Sequence, residues 1–342
     1  MNTTRLQHLL DRYPKTHILV VGDYFLDHYL ILDRRLSEVS LETGLEAYQV
    51  VDVRPSPGAA GTVTSNLRAL DVQVTALGVI GRDGMAYELL RGLRQRGVNV
   101  EPLIQVEDRF TPTYTKPMLC EADGRVHELE RMDIKNRRPL APELEDELIE
   151  HLEQWIERVD GVIVADQVPE RNCGAITDRV RAALSELARA YPDKPIAVDS
   201  RERIGEFRQL IVKPNAREAT LAISPGQAKD EIDRATAERC AQELYRRNGR
   251  PVFLTVGAAG IVVVNAGGAT PVPGVRVSGP IDIVGAGDST MAGIVSALCC
   301  GATPVEAATV GNLVASITIQ QIGTTGTATR EQVMDRLKET RT

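Results

Sequence analysis

Blocks of consecutive apolar residues alternate along the chain with stretches in which apolar positions recur every three or four residues. The blocks at 17–22, 74–81, 161–165, 195–199, 210–213 and 252–256 are rich in Val, Ile and Leu and read as strands buried on both faces. The stretches at 62–70, 85–96, 142–158, 174–191, 230–248 and 286–300 carry helical periodicity. A short amphipathic helix is also expected at the N-terminus, where Arg5, His8, Asp11, Arg12 and Lys15 are spaced among Leu6, Leu9 and Leu10. Strand and helix in regular turn predict an α/β fold, a mostly parallel sheet with helices on both faces.

Two regions break the rhythm. Residues 28–56 and 108–134 hold short alternating runs (28–31, 44–51, 111–116, 126–132) without long helices. They predict a small β-sheet flap on the main domain; the alternative is two unrelated surface hairpins. No internal repeat, low-complexity tract or long linker stands out.

Composition then excludes whole classes of function. A chain of 342 residues, 43% of them hydrophobic, can form a sizeable core. Its 40 basic and 47 acidic residues leave a net charge of −7 with no basic block, which argues against nucleic-acid or anionic-membrane partners. The apolar stretches 18–21 and 292–300 fall far short of the roughly 20 residues that span a bilayer. The N-terminal helix lacks the form of a signal peptide, so a cytoplasmic protein is expected. Five cysteines with no CxxC, two of them adjacent at Cys299 and Cys300, make neither a disulfide framework nor a zinc site. The histidines show no ligand spacing.

Candidate chemistry concentrates at Asp282-Ile283-Val284-Gly285-Ala286-Gly287-Asp288, which runs straight into the apolar helix beginning Ser289-Thr290-Met291. Small residues at 285–287 let backbone N–H groups at a helix N-terminus approach an anion, and the helix dipole adds positive charge there. Asp288, in the first turn, is then placed to take a proton from a hydroxyl beside a transferring phosphoryl group. The plainer reading is a tight turn with a favourable acid in the first turn. No GxxxxGK[ST] is present, and no GxGxxG follows the first strand, where Gly22-Asp23-Tyr24-Phe25 stands instead. P-loop and dinucleotide-dependent enzymes are thereby disfavoured.

Five segments in order resemble the ribokinase/PfkB carbohydrate kinases over nearly the whole chain. They are 20–27, ending in Asp27; the turn Pro57-Gly58-Ala59-Ala60-Gly61-Thr62; Gly78-Val79-Ile80-Gly81-Arg82-Asp83; Lys213-Pro214-Asn215-Ala216-Arg217-Glu218, similar to the family's NxxE; and 282–288. Within that family the chain looks like the heptose-7-phosphate kinases, through Gly22-Asp23, Leu26-Asp27, Pro112-Thr113-Tyr114-Thr115-Lys116, Arg131-Met132-Asp133 and Gly323-Thr324-Thr325. The resemblance implies a ribokinase-like fold and one kinase domain over 1–342, with a β lid from about 28–56 and 108–134. The nucleotidyltransferase domain that such proteins often carry is expected to be absent.

The resemblance also implies roles. Asp288 is the base, with Gly285, Ala286 and Gly287 forming the anion hole. Asp27 binds sugar hydroxyls from the end of the first strand, beside Gly58, Ala59 and Thr62; a surface-turn carboxylate is its plainer reading. Glu218 and Asn215 hold hydrated Mg²⁺ beside ATP, although the two residues equally fit a helix capping box. Thr255, Gly257 and Gly260 border the nucleotide phosphates, the glycines being equally consistent with a hairpin, and Asn312 lies near adenine. Asp282, with backbone around Ile283, Gly323 and Ala328, is a candidate K⁺ site. A phosphate already on the acceptor would be met by Lys116 and Arg131, with Arg54 and Arg201 as further candidates; each also reads as a solvated charge. A homodimer through the lid is expected.

Departures from the family bear on the acceptor. Ala59 and Thr62 replace the second of two glycines and an Asn. Ile283-Val284 lacks a hydroxyl, 38–43 replaces a Pro-rich lid strand, and Asp166-Gln167-Val168-Pro169-Glu170 lacks a lysine. The reading is an ATP- and Mg²⁺-dependent kinase for a sugar or sugar phosphate, possible acceptors being heptose 7-phosphate, fructose, ribose or a nucleoside. The alternative class is a nucleotide- or sugar-binding protein that has lost efficient catalysis.

Overall fold

The computed structural model describes residues 1–227 and 232–340. The chain opens with α1 (Thr3–Leu10) and β1 (His17–Gly22), then turns at Asp23 into the long β2 (Tyr24–Asp33). A two-residue hairpin, β3 (Glu38–Val39) and β4 (Glu46–Ala47), leads to β5 (Val50–Ala59), followed by α2 (Ala60–Ala69), β6 (Gln73–Gly81), α3 (Gly84–Gln95) and β7 (Leu103–Val106). A second excursion gives β8 (Thr113–Cys120), β9 (Val126–Glu128) and β10 (Met132–Ile134). Then come α4 (Pro142–Ile156), β11 (Gly161–Asp166), α5 (Asp178–Ala190), β12 (Ile196–Ser200), β13 (Ile211–Val212), α6 (Ala216–Ile223) and α7 (Arg234–Asn248). The chain finishes with β14 (Val252–Thr255), β15 (Gly260–Asn265), β16 (Gly268–Pro273), α8 (Ala286–Cys299), α9 (Pro304–Thr318) and α10 (Arg330–Glu339).

The main sheet has the order β16-β15-β14-β13-β12-β11-β1-β6-β7, parallel from β14 to β7 and antiparallel only in the two hairpins at the β16 edge. Its strands are apolar throughout because both faces are covered. Ile18 and Val20 of β1 point into a core with α1, α2, α3, α8, α9 and α10, while Leu19 and Val21 point into another with α4, α5 and α7. An α/β fold with a mostly parallel sheet covered on both faces is thus present, as the sequence pattern led one to expect.

The two rhythm-breaking regions form one sheet, not separate hairpins: β10-β8-β2-β5, with β9 on β8. β2 pairs in parallel with β8 from Leu26 to Asp33, which joins the two excursions. This lid begins at Tyr24, earlier than residue 28, and β5 extends to Ala59. The reason is local. The first strand is broken at Asp23, so Asp27 lies in the lid and not at the end of β1, a correction to the expectation from sequence.

Helix boundaries shifted where capping outweighed periodicity. α5 starts at Asp178, capped by the Thr177 side chain, and not at 174. α7 starts at Arg234 with Asp233 as its cap, and the expected start at 230 lies outside the described residues.

Candidate active site

The C-terminal ends of β1, β12 and β13, the N-termini of α2 and α8, and the lid strand that carries Asp27 come together at one end of the main sheet, the end at which open α/β sheets place ligands. Gly285 caps α8 at φ 78, a left-handed conformation open to glycine. A Cβ there would fall 2.8 Å from Thr325 Cγ2 and 3.3 Å from Thr62 Cγ2, so packing excludes a side chain as well. Thr62 is itself buried, at the head of α2, and so links the expected sugar turn to the expected anion turn.

Of the three residues expected to line the anion hole, Ala286 has its N–H engaged by Ile283 O at 3.1 Å. The Gly287 and Asp288 N–H groups are the first-turn donors left without a backbone acceptor. The Asp288 carboxyl is pushed up to about 7, first by burial and then by the Asp199 carboxylate; Lys213 and Arg201 pull it down and Asp27 adds to the rise. A carboxyl poised near neutrality suits a general base.

Two residues with no assigned role in the sequence reading sit at the centre. The Lys213 ammonium lies 2.9 Å from Asp199 Oδ2, the two side chains 4% and 13% exposed. Burial opposes the Lys213 charge, but Asp199, Glu218 and Asp288 outweigh it and raise its pKa. A Cβ on Gly287 would stand 3.5 Å from Lys213 Nζ, so the ammonium borders the turn that α8 presents to an anion. Lys213 was visible in the Lys-Pro-Asn segment; nothing in sequence joined it to Asp199.

On the lid, Asp27 Oδ1 accepts from Lys116 Nζ at 2.8 Å, with both side chains 12% exposed. Lys116 also donates to the Tyr29 hydroxyl at 3.2 Å. A Cβ on Gly58 would come within 2.6 Å of Asp27 Oδ2, which accounts for glycine there. Ala59 is held at φ 52 and ψ −118, an unfavourable conformation for a residue with a side chain.

Cross-strand register lines up Asp133, Tyr114, Asp27 and Ser56 on one face of the lid. Arg131 grips Asp133 through two bonds of 2.7 and 2.9 Å, and its guanidinium lies 4.2 Å from the Tyr114 ring centre. Lys135 approaches the same ring at 5.9 Å. Burial raises the Tyr114 hydroxyl pKa, and Arg201 is the foremost charge acting against that rise. Arg54 is exposed and paired with Asp52. Arg201 has no carboxylate partner among the described residues; its Nε donates to Gln167 Oε1 at 2.8 Å.

Asn215 and Glu218 form the capping box of α6: Asn215 Oδ1 accepts from Glu218 N and Glu218 Oε2 from Asn215 N, both at 2.8 Å. Burial and then Asp199 push the Glu218 carboxyl up, against Lys213, the Asn215 N–H and Arg201. No cluster of three or more His, Cys, Asp or Glu side chains able to hold a metal occurs among the described residues.

Toward the expected nucleotide side, Thr255 ends β14 and donates its N–H to Pro214 O at 2.9 Å, next to Asn215. Gly257, at φ 59, faces open space. Gly260 is a hairpin residue: a Cβ there would meet Val272 O at 2.3 Å. Asn312 Nδ2 donates to Val272 O and Pro273 O, and the residue lines a groove bordered by 274–278 and α9. Asp282 accepts from Val284 N at 3.0 Å and from Gly323 N at 3.4 Å, which ties 282 to 323.

A family model described as pfkB family carbohydrate kinase matches residues 15–330. The bifunctional protein HldE of Trichlorobacter lovleyi is 29% identical over 328 residues, covering 95% of this chain and 63% of its own length. HldE of Citrifermentans bemidjiense is 28% identical, covering 98% and 66%. The chain thus spans just under two thirds of these relatives. Arabidopsis thaliana ribokinase complexed with ribose and ATP superposes with a TM-score of 0.67 at 16% identity, covering 94% of this chain and 99% of that one. Escherichia coli phosphofructokinase-2 in complex with potassium gives 0.68 at 17%, covering 96% and 100%. At these identities the structural likeness is one of fold.

Proposed function

The chain belongs to the pfkB family of carbohydrate kinases, and on that footing we propose that it transfers the γ-phosphoryl group of ATP to a hydroxyl of a sugar phosphate, heptose 7-phosphate being the favoured class. The observation that carries this reading is the meeting of Asp288 with the open N–H groups of α8 and the Lys213–Asp199 pair. Asp288 takes the proton of the acceptor hydroxyl while that oxygen bonds to the γ-phosphorus and the bond to the ADP oxygen breaks. The α8 N–H groups and dipole, with Lys213, offset negative charge on the transferring group.

Asp27 and Lys116 hold sugar hydroxyls from the lid, one accepting and the other donating. Arg201, Arg131 and Lys135 around Tyr114 favour an acceptor that already carries a phosphate. A hydrated divalent cation fits the donor chemistry: Glu218 would offer it a carboxylate oxygen and Asn215 an amide oxygen, while burial and then the nearby Asp199 charge raise the Glu218 carboxyl. Bound with ATP, Mg²⁺ would neutralise charge on the β- and γ-phosphates. Asp282 is the residue that would draw K⁺, beside Gly323.

The lid also supports a homodimer. Val50, Val51 and Val53 on edge strand β5, with Leu41 and Leu45 near the β3–β4 hairpin, are exposed apolar residues concentrated in one region.

ADP release over sugars, sugar phosphates and nucleosides, with the Asp288→Asn variant as the blank, tests the reading. Turnover of heptose 7-phosphate is expected. Turnover of free sugars or nucleosides alone would reassign the acceptor and implicate Ala59 and Thr62. Silence with ATP bound would overturn the kinase reading for this panel in favour of a binding protein.

A further inference from the structure

Asp23 stands where the chain leaves β1 for the lid, and the proposed chemistry gives it no part. Its backbone ties three elements together: its N–H donates to Ala165 O of β11, and its carbonyl accepts from Ala60 N at the head of α2, both at 3.0 Å. Its side chain, buried with the residue 4% exposed, accepts three backbone N–H groups. Gln167 and Val168 donate to Oδ2 at 2.7 and 3.0 Å, and Ala175 donates to Oδ1 at 2.7 Å. A Cβ on Gly174 would fall 2.4 Å from Oδ1, so the 167–175 loop is drawn tightly around this carboxylate.

The loop carries Gln167, whose side chain holds Arg201. We propose that Asp23 is a positioning residue: by fixing the 167–175 loop to the root of the lid, it sets Arg201, through Gln167, against the anionic end of the acceptor. The inference rests on the reading that Arg201 faces the acceptor. Only a carboxylate satisfies the geometry, because an amide would turn an NH₂ group toward at least one of the three N–H donors.

The charges around Asp23 are Asp166 on β11, and Arg203 and Arg109 from the flanking loops. Arg203 in turn pairs with Asp166 at 2.9 Å and donates to the Val168 and Pro169 carbonyls, so the far side of the loop is fixed too. Burial and then Asp166 push the Asp23 carboxyl up to about 6, against the three N–H groups. It is therefore ionised at neutral pH and takes a proton on mild acidification, turning a hydrogen toward N–H donors.

The test combines steady-state kinetics and hydrogen–deuterium exchange on the Asp23→Asn variant. The acceptor KM is expected to rise about tenfold, roughly the loss of one hydrogen bond to a charged group, with kcat and the ATP KM changed by less than about twofold. Amides across 167–175 should exchange faster. An unchanged acceptor KM, a loss confined to kcat, or unchanged exchange over 167–175 overturns the proposal. If Asp23→Asn does not fold, Gln167→Ala decides, since it leaves the three backbone bonds in place: an unchanged acceptor KM refutes the route through Arg201. If the unaltered protein phosphorylates no acceptor, the exchange experiment still judges Asp23, and the failure belongs to the functional reading.

Discussion

Lys213 Nζ lies 2.9 Å from Asp199 Oδ2 at the ends of the neighbouring strands β13 and β12, and this pair places a cation beside the α8 turn. A buried pair of this kind costs desolvation, and losing one partner leaves the other uncompensated. Its electrostatic reach extends to Asp288 and Glu218, whose pKa values Lys213 lowers.

Lys213→Met is expected to lower kcat by about 10² to 10³, the usual effect of removing one group that stabilises transition-state charge. The acid limb of the pH–rate profile should move to higher pH, since Asp288 loses the cation that favours its ionised form. A variant with reduced kcat but an unmoved limb would place Lys213 away from the base.

Asp288→Asn should lower kcat by about 10² to 10⁴ with ATP binding retained. In the unaltered enzyme the rate should rise with pH through about 7, where Asp288 becomes ionised. Stability runs the other way. The folded pKa of about 7 stands above the ordinary 3.8, so this group's stabilising share is complete below the unfolded value and is lost as pH rises through 7. Thermal unfolding should therefore show the Asp288→Asn variant more stable than the parent at pH 8, with the gap closing toward pH 4. A lower melting temperature for the variant at that alkaline pH would show that Asp288 is not held against its charge.

Apolar blocks made the parallel strands legible, because strands buried on both faces carry little but Val, Ile and Leu. The Gly285–Asp288 turn was legible because a left-handed cap and a first-turn acid leave local marks. α9 was not, since most of it is buried on all sides and shows no polar face, and α10 together with β15 and β16 was likewise unassigned. The resemblance set Asp27 at the end of β1, although the apolar block itself stops at Gly22 and the turn at Asp23 starts a new strand. The Asp199–Lys213 pair needs the sheet order before its members become neighbours. Arg131, Lys116 and Arg54 were equivalent cations in sequence and are distinguished by their partners, Asp133, Asp27 and Asp52.

Ala59→Gly should stabilise the protein. A non-glycine residue at φ 52 and ψ −118 carries strain on the order of 1–3 kcal/mol, and the greater freedom of glycine in the unfolded chain returns only about 0.5–1 kcal/mol of that. A rise of a few degrees in Tm is expected, read by differential scanning calorimetry. An unchanged or lower Tm would mean that the Ala59 methyl contributes packing that offsets the strain.

Replacing Val51 and Val53 by Lys on β5 should convert the expected dimer to a monomer, since charged residues on an edge strand oppose strand-to-strand association. Light scattering coupled to size exclusion reads the mass directly. A parent protein of monomeric mass would remove the lid interface at once.

Glu218→Gln separates two roles that the geometry superimposes. Glu218 caps α6 through Asn215, and a glutamine three residues after the cap can make the same reciprocal bond, so thermal stability should barely change. It cannot supply the negative charge that holds a hydrated divalent ion. The Mg²⁺ concentration for half-maximal rate is therefore expected to rise several-fold while the folded protein melts at nearly the same temperature. Loss of stability with an unchanged Mg²⁺ titration would assign Glu218 to the capping box alone.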